Sequence, residues 1–237
     1  MFTGIVSSIA TIQRIDDRGG IRTFELEFVD DFCKDLTIGA SVAVDGVCLT
    51  VTDQISDTRA SFDVVLPSIQ ITTLGREQVG SLVNVERAAK DGAEIGGHPL
   101  SGHIDAQAPV VLIEAIDSNY RLRFGLPESL SSYVFAKGYI AINGASLTVS
   151  AVDHQAQWFE VWLIPETRRQ TTLGSKLVSD RVNIEIDRGT QVVVDTIKAS
   201  VAETLGPLLP HFEQFLAAQG SSLNALTHTT ARPLQRS

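Results

Sequence analysis

Cysteine is nearly missing. Cys33 and Cys48 are the only two in 237 residues, too few for a disulfide framework and not spaced as a Cys-x-x-Cys metal or redox pair. Basic residues are also scarce, with 19 Lys and Arg against 28 Asp and Glu and a net charge of −9. No basic run exists to build a nucleic-acid surface or to hold an anionic membrane. No apolar stretch approaches the ~18 residues that span a bilayer, and Met1 to Val6 lacks the basic and apolar regions of a signal peptide. The expectation is a soluble cytoplasmic protein with neither nucleic acid nor membrane as partner.

What the chain has in place of these is a repeat. Gly39 to Val51 reads G-A-S-V-A-V-D-G-V-C-L-T-V, and Lys137 to Val149 reads K-G-Y-I-A-I-N-G-A-S-L-T-V, 98 positions on. Thr72 to Gly75 followed by Val83 to Glu86 recurs as Thr171 to Gly174 followed by Val182 to Glu185, 99 positions on. So steady a register over the chain marks an internal duplication. Each copy has room for a core of its own at about 100 residues.

The pattern inside each copy is β. Thr3 to Ile15 alternates loosely between apolar and polar, and Ile21 to Val29 strictly, with a hairpin turn over Asp17 to Gly20. Asp30 to Leu36 reads as a short loop or helical turn. Strands flanking Asp45-Gly46, then Ala60 to Val65 and Leu82 to Arg87, bring the count to about six, at the turn spacing of a small closed barrel or sandwich. The second half replays this order: Ser101-Gly102 echoes Thr3-Gly4, and Asn119 to Leu126 echoes the second strand. Pro127 to Phe135 is predicted to form a short helix. The expected fold is all-β, two homologous six-stranded Greek-key-like β-barrels plus a C-terminal α-helix. The expected divisions are an N-terminal barrel over 1–97, a C-terminal barrel over 98–189, a helical segment over 190–218 and a disordered tail over 219–237.

The helical segment carries Val194, Ile197, Val201 and Leu205 on one stripe, is interrupted at Gly206-Pro207 and Pro210, and resumes over His211 to Ala218. An apolar stripe without a domain of its own needs a surface to pack on, either its own barrel or other subunits.

Glu94 to Asp105, E-I-G-G-H-P-L-S-G-H-I-D, joins the copies. Its two histidines, His98 and His103, have no cysteine pair or third histidine beside them, so no metal site is expected. Its glycines call for close backbone approach, to another strand or to a flat ligand. A lone cysteine in an apolar run is most often a small buried hydrophobe. For Cys48, however, the equivalent slot of the other copy holds Ser146, beside equivalent Thr50 and Thr148. Two equivalent pockets with different polar tips would bind two similar molecules and treat them differently. His154, His211 and His228 are assigned to surface or tail, and Trp158 with Trp162 to packing on one strand face.

Met1 to Val6, Gly46 to Val51, Thr73 to Gly75, Val83 to Ala88, Gly96 to Ile104, Asn143 to Val149, Leu163 to Thr167 and Val182 to Asp187 together resemble the riboflavin synthases, a lumazine-binding double-barrel family. The resemblance implies a homotrimeric, cofactor-free transferase. Two molecules of 6,7-dimethyl-8-ribityllumazine exchange a four-carbon unit, giving riboflavin and 5-amino-6-(D-ribitylamino)uracil. One substrate lies in the N-terminal barrel of one subunit and the other in the C-terminal barrel of a neighbour. It also brings lumazine synthase as a candidate partner.

Carried over residue by residue, the resemblance makes Cys48, Ser41, Thr50, His103 and Ser146 the catalytic set, with His103 in proton transfer and His98 supporting its segment. Gly4, Ile5, Val6, Gly102, His103 and Ile104 would offer backbone to the pteridine. Leu49, Asp63, Val64 and Ser68 would join Cys48 and Thr50 around one substrate. Lys137, Asn143, Ser146, Leu147, Thr148, Leu163, Ile164, Pro165, Glu166, Thr167 and Arg168 would frame the other, with Asp187 reaching toward the interface. The family has aspartate where Asn143 stands, and Glu-Thr where Pro67-Ser68 stand. The alternative is a non-catalytic lumazine- or flavin-binding protein of the antenna type, which resembles the same double barrel without the Cys48-type thiol and paired histidines. A flavin-binding barrel of an oxidoreductase would call for a following dinucleotide-binding βαβ unit, which the sequence does not contain.

Overall fold

Strict alternation over Ile21–Glu27 becomes a strand with Phe24 and Leu26 turned into a core and the residues between them outward. The computed structural model describes residues 1–223 and 225. In the first copy the strands are β1 (Ser8–Arg18), β2 (Ile21–Glu27), β3 (Ser41–Val44), β4 (Val47–Ser56), β5 (Arg59–Val65) and β6 (Leu82–Arg87). They close as a barrel in the order β1-β2-β5-β4-β3-β6, a Greek key. The second copy has β7 (Ala106–Ile116), β8 (Asn119–Gly125), β9 (Tyr139–Ile142), β10 (Ala145–Asp153), β11 (Trp158–Leu163) and β12 (Arg181–Ile186). It closes as β10-β11-β8-β7-β12-β9, so the duplication extends to topology.

Each barrel holds its own core. Phe24 pairs with Phe62 across the β2–β5 ladder, and Leu26, Val42, Leu49 and Val83 complete the first interior. Leu122, Phe124, Phe159, Ile140 and Ile184 fill the second. Each such side chain contributes roughly 1.5–3 kcal/mol on burial. Two tight turns are set by sequence: Asp45-Gly46 at φ 44° and 81°, and Asn143-Gly144 at φ 45° and 78°. Both central residues have positive φ, as a two-residue hairpin of right-twisted strands requires.

These two turns face each other where the barrels meet. A Cβ on Gly46 would lie 2.7 Å from the Gly144 amide nitrogen, so the backbones touch. Two buried asparagines stitch the seam crosswise. Asn84 Nδ2 donates to the Asn143 carbonyl at 2.9 Å while its Oδ1 accepts from Thr172 N–H at 2.7 Å. Asn183 Nδ2 donates to the Asp45 carbonyl at 2.9 Å while its Oδ1 accepts from Thr73 N–H at 2.8 Å. Loss of either asparagine would orphan buried groups of the opposite barrel.

Two short helices were not foreseen by the hydrophobic pattern. Leu66–Ile71 (α1) leads into a 3₁₀ turn at Thr73–Arg76, and Pro165–Gln170 (α2) into another at Thr172–Ser175. A proline in the first turn starts each, and six residues are too few for a helical period to show. Conversely, the helix predicted over Pro127 to Phe135 is only a 3₁₀ turn, Glu128–Leu130. Its amides reach three residues back, Leu130 to Pro127 and Tyr133 to Leu130. Leu130 within the turn and Val134 beyond it both drop into the second core.

Residues 1–190 form one compact unit and the chain from Gln191 a second. Helix α3 (Arg188–Leu205), a 3₁₀ turn at Gly206–Leu208 and helix α4 (Leu209–Ala218) follow the predicted interruptions. On the apolar stripe Ile197, Val201 and Leu205 remain 58%, 50% and 51% exposed. Among the described residues no helix is long and apolar enough to cross a membrane. Most of the tail expected over 219–237, and His228 with it, lies outside the described residues.

Candidate functional site: two openings in the barrel walls

The ladder between β4 and β5 stops at Val51↔Phe62, although β4 begins at Val47 and β5 continues to Val65. The wall therefore opens between Cys48–Thr50 on one side and Asp63–Val65 with α1 on the other. Val51 donates its N–H to Ala40 and accepts from Gly39, both at 2.9 Å. Strand alternation then turns the N–H and C=O of Thr50 the other way, into the opening. The second barrel repeats this. Its β10–β11 ladder stops at Val149↔Val161, Val149 bonds to Gly138 and Lys137, and Thr148 turns toward an opening that faces α2. Such edges offer a flat heteroaromatic molecule backbone donors and acceptors.

Each opening is bordered by a segment from the other copy. The stretch before β1 crosses to the second barrel: Gly4 accepts from Ser146 N–H at 2.8 Å, and Val6 packs on the second core. The stretch before β7 crosses to the first barrel, where Gly102 accepts from Cys48 N–H at 2.8 Å and Ile104 packs on that core. Phe2 and Leu100 bridge the two segments. Contact is close enough to demand glycine. A Cβ on Gly4 would lie 2.5 Å from Ser146 Cβ, and one on Gly102 would lie 2.6 Å from Cys48 Cβ.

Buried carboxylates hold these segments. Glu86 on β6 accepts from Thr3 N–H at 2.6 Å, Thr3 O–H at 2.7 Å and Gly4 N–H at 3.1 Å. Glu185 on β12 does the same for Ser101 N–H, Ser101 O–H and Gly102 N–H at 2.7, 2.6 and 3.0 Å. Burial pushes the Glu86 carboxyl above its ordinary range against the pull of those bonds. Sequence reasoning did not single out Glu86 or Glu185. Their signal was present: a glutamate kept at the same place in both copies, as Val-Asn-Val-Glu over 83–86 and Val-Asn-Ile-Glu over 182–185.

In the second opening, Gly4, Ile5, Val6, Ala145, Ser146, Glu166, Thr167, Gln170 and Thr171 line a cavity of about 280 Å³. Six of the residues named by the resemblance thus meet there. A larger cleft of about 420 Å³, lined by Thr3, Ile5, Ser7, Glu86, Arg87, Ala89, Ala93, Glu94 and Gly96, contains neither Cys48 nor Ser146. At the first opening, Ser41 pairs with Thr50 across β3–β4, and Asp63 on the outer face accepts from Thr23 O–H at 2.6 Å. His103 is exposed, its N–H directed at Ser101 Oγ and its carbonyl held by Arg188. Ser68 accepts at its carbonyl from both the N–H and the O–H of Thr72. Lys137 is exposed at φ 71°, and Ile164 and Pro165 are exposed where α2 begins. Arg168 stacks over Tyr120 at 3.7 Å.

Other named residues stand elsewhere. Leu49 and Val64 point into the first core and Leu147 and Leu163 into the second, so only their backbones reach an opening. Asn143 is corrected by the structure. Its side chain is wholly buried at the barrel seam and accepts from Asn183 N–H at 2.7 Å, as Asp45 accepts from Asn84 N–H at 2.7 Å. Its side chain belongs to the turn that joins the barrels. Asp187 starts α3, where it accepts from Thr190 N–H and O–H, both at 2.8 Å. Partial burial raises its carboxyl, but those bonds outweigh it and hold the group below the ordinary range. Among the described residues no group of three or more His, Cys, Asp or Glu is placed to hold a metal ion.

A family model for the lumazine binding domain matches residues 3–88 and again residues 101–187. Riboflavin synthase of Escherichia coli (strain K12) is 47% identical over 203 residues, covering 85% of this chain and 94% of that protein. Riboflavin synthase of Chlamydia pneumoniae is 42% identical over 204 residues, covering 86% of this chain and 98% of that protein. Among solved structures, LumP complexed with riboflavin superposes with a TM-score of 0.73 at 26% identity, over 79% of this chain and all of that one. LumP complexed with 6,7-dimethyl-8-(1'-D-ribityl) lumazine, at 24% identity and a TM-score of 0.71, has the same fold. Matched twice by one domain and aligned over most of its length with riboflavin synthases, the chain belongs to the lumazine-binding domain family.

Proposed function

We propose that the protein is an enzyme that transfers a four-carbon unit between two molecules of 6,7-dimethyl-8-ribityllumazine, forming riboflavin and 5-amino-6-(D-ribitylamino)uracil. The observation that carries this reading is the pair of equivalent openings with unequal tips, Cys48 in one and Ser146 in the other. A reaction between two copies of one substrate needs one copy to donate carbon and the other to accept it. Identical seats could not tell them apart. The identities of 42–47% to riboflavin synthases over most of the chain support the same reaction.

The chemistry asks for loss of a proton from the C7 methyl of one lumazine, C–C bond formation between the two lumazines, and return of protons to the two ring nitrogens of the lumazine that gives up its four-carbon unit as its C–N bonds to that unit break. His103, exposed on the segment bordering the Cys48 opening, is the proposed proton carrier. Cys48, Ser41 and Thr50 would surround one ring, and Ser146, Thr148 and Lys137 the other. Alignment of the two rings is the larger contribution. Effective molarity supplies on the order of 7–11 kcal/mol, whereas one acid/base group gives roughly 10²–10⁴-fold. No added cofactor enters this scheme.

LumP, which shares the fold, favours a second reading, a protein that binds lumazine or flavin without converting it. Mixing the purified chain with 6,7-dimethyl-8-ribityllumazine separates the two. Growth of riboflavin absorbance is expected. Tight fluorescent binding with no riboflavin formed would establish the binding-only reading instead.

The assembly we propose is a homotrimer, cytoplasmic, with lumazine synthase as a candidate partner. The support is the exposed stripe of Ile197, Val201 and Leu205, which further copies of the chain would cover. Deleting residues 191–237 is expected to reduce the assembly to smaller species on sizing. An oligomer of unchanged subunit number would dispose of the helix as its organiser.

A further inference from the structure

His98 is packed against Ser146. Its Nδ1 lies 2.6 Å from Ser146 Oγ, its ring stacks on Tyr139 with centroids 5.0 Å apart and planes 17° apart, and only 3% of the residue is exposed. The approach is enforced by the preceding residue. A Cβ on Gly97 would meet the Thr3 carbonyl oxygen at 2.4 Å, Ser146 Cβ at 2.6 Å and Ser146 Oγ at 2.9 Å. Among the described residues no imidazole makes the equivalent contact with Cys48, so this contact belongs to one opening alone.

The proton inventory gives the contact a direction. Burial depresses the imidazole below its ordinary range, with the Asp187 charge opposing, so the ring is neutral near pH 7 and carries one proton. Nε2 is buried with no hydrogen-bond partner among the described residues. An orphaned buried N–H is rarer than an under-used acceptor. The proton therefore sits on Nδ1 and is donated to Ser146 Oγ. Ser146 spends its backbone N–H on Gly4. Its own O–H is left to donate within the 280 Å³ cavity that it lines with Gly4, Val6, Glu166 and Thr167.

We infer that His98 is a positioning residue that fixes the Ser146 hydroxyl as a hydrogen-bond donor to a carbonyl or ring-nitrogen acceptor of the heteroaromatic substrate in the second opening. The inference rests on the lumazine reading of that site. It also adds to the inequality of the two openings: one presents a thiol, the other a hydroxyl whose direction is set by an imidazole.

A double-mutant cycle on the full-length chain tests it, with His98→Phe, Ser146→Ala and the pair, read on riboflavin formation and on lumazine affinity. Each single change is expected to slow riboflavin formation by about tenfold, the scale of one lost hydrogen bond. The double variant is expected to be no slower than Ser146→Ala. His98→Asn, whose amide can place an N–H near the Nδ1 position, is expected to recover activity to within about threefold of wild type. Effects that multiply in the double variant would overturn the inference. So would a folded His98→Asn as slow as His98→Phe. Should His98→Phe fail to fold, the comparison of His98→Asn with Ser146→Ala still decides. If the wild type makes no riboflavin, the enzymatic reading falls, while the same cycle read on lumazine affinity still judges His98.

Discussion

Asp45→Asn is expected to make the protein more stable at pH 8 and to remove much of a loss in stability between pH 4 and pH 7. Asp45 is fully buried at the turn that meets its counterpart from the other barrel. Burial raises its carboxyl to about 7, against the opposing pull of Lys176 and of the Asn84 N–H, and with a small push from Glu77. Its Oδ1 accepts from Asn84 N–H, but Oδ2 has no partner. In the unfolded chain the same carboxyl titrates near the ordinary aspartate value of 3.8. Below about pH 4 both states are protonated, and the carboxyl imposes no penalty. As pH rises toward 7 the unfolded chain ionises first, so folding is disfavoured by about 1.4 kcal/mol per pH unit. Above 7 both states are ionised and the full penalty stands, roughly 4 kcal/mol as an upper scale.

The other barrel already carries the substitution. Asn143 occupies the same turn position, accepts through Oδ1 the corresponding bond from Asn183 N–H on β12, and leaves Nδ2 without a partner. An asparagine at 45 should therefore fit at no greater cost than Asn143 bears. Urea unfolding of both proteins at pH 5 and pH 8 checks this. Stabilisation of several kcal/mol at pH 8 that shrinks toward pH 4 is expected, whereas parallel pH profiles would show that the Asp45 carboxyl titrates alike in the folded and unfolded protein. Glu86, also raised by burial, contributes the same sign to both proteins and cancels in the comparison.

The same pair shows what the sequence could reveal. Repetition at a constant offset exposed the duplication, alternation exposed the strands, and the Asp-Gly and Asn-Gly turns stood in plain view. The difference between Cys48 and Ser146 is likewise visible in the sequence as a chemical inequality between the two copies. Where Asn143 belongs was not legible, because a polar residue in a turn reads alike whether it faces a ligand or the turn of another barrel. Nor were the openings, which depend on where the β4–β5 and β10–β11 ladders stop rather than on residue type. The crossing of each leading segment to the other barrel was hidden for a related reason. Gly4 and Gly102 announce close approach, but a glycine does not name the surface that approaches it.

Gly102→Ala is expected to cut riboflavin formation by about 100-fold while leaving one class of lumazine site intact. Two penalties meet at this residue. Its φ of 78° is unfavourable for an L side chain by about 1–2 kcal/mol. The new methyl would lie 2.6 Å from Cys48 Cβ, 2.9 Å from Cys48 N and 3.0 Å from the Phe2 ring, at least one of them backbone that cannot turn aside. Overpacking of this kind adds about 1–3 kcal/mol. Relief comes most readily by lifting the segment that Glu185 holds through Ser101 and Gly102. Lifting it carries His103 and Ile104 away from the Cys48 opening, and a displacement of about 1 Å suffices for a loss near 10²-fold. Gly4 and Ser146, at the other opening, are not touched by the change. Lumazine titration should then show one site at near wild-type affinity and one weakened. Gly4→Ala should mirror the result, since its methyl would meet Ser146 Cβ at 2.5 Å while leaving Cys48 alone. Because turnover needs both lumazines, each variant alone should stop most of the reaction, and the two should differ in which site survives. Loss of both sites in a variant that still unfolds cooperatively, or an unchanged rate, would refute the assignment of one crossing segment to each opening.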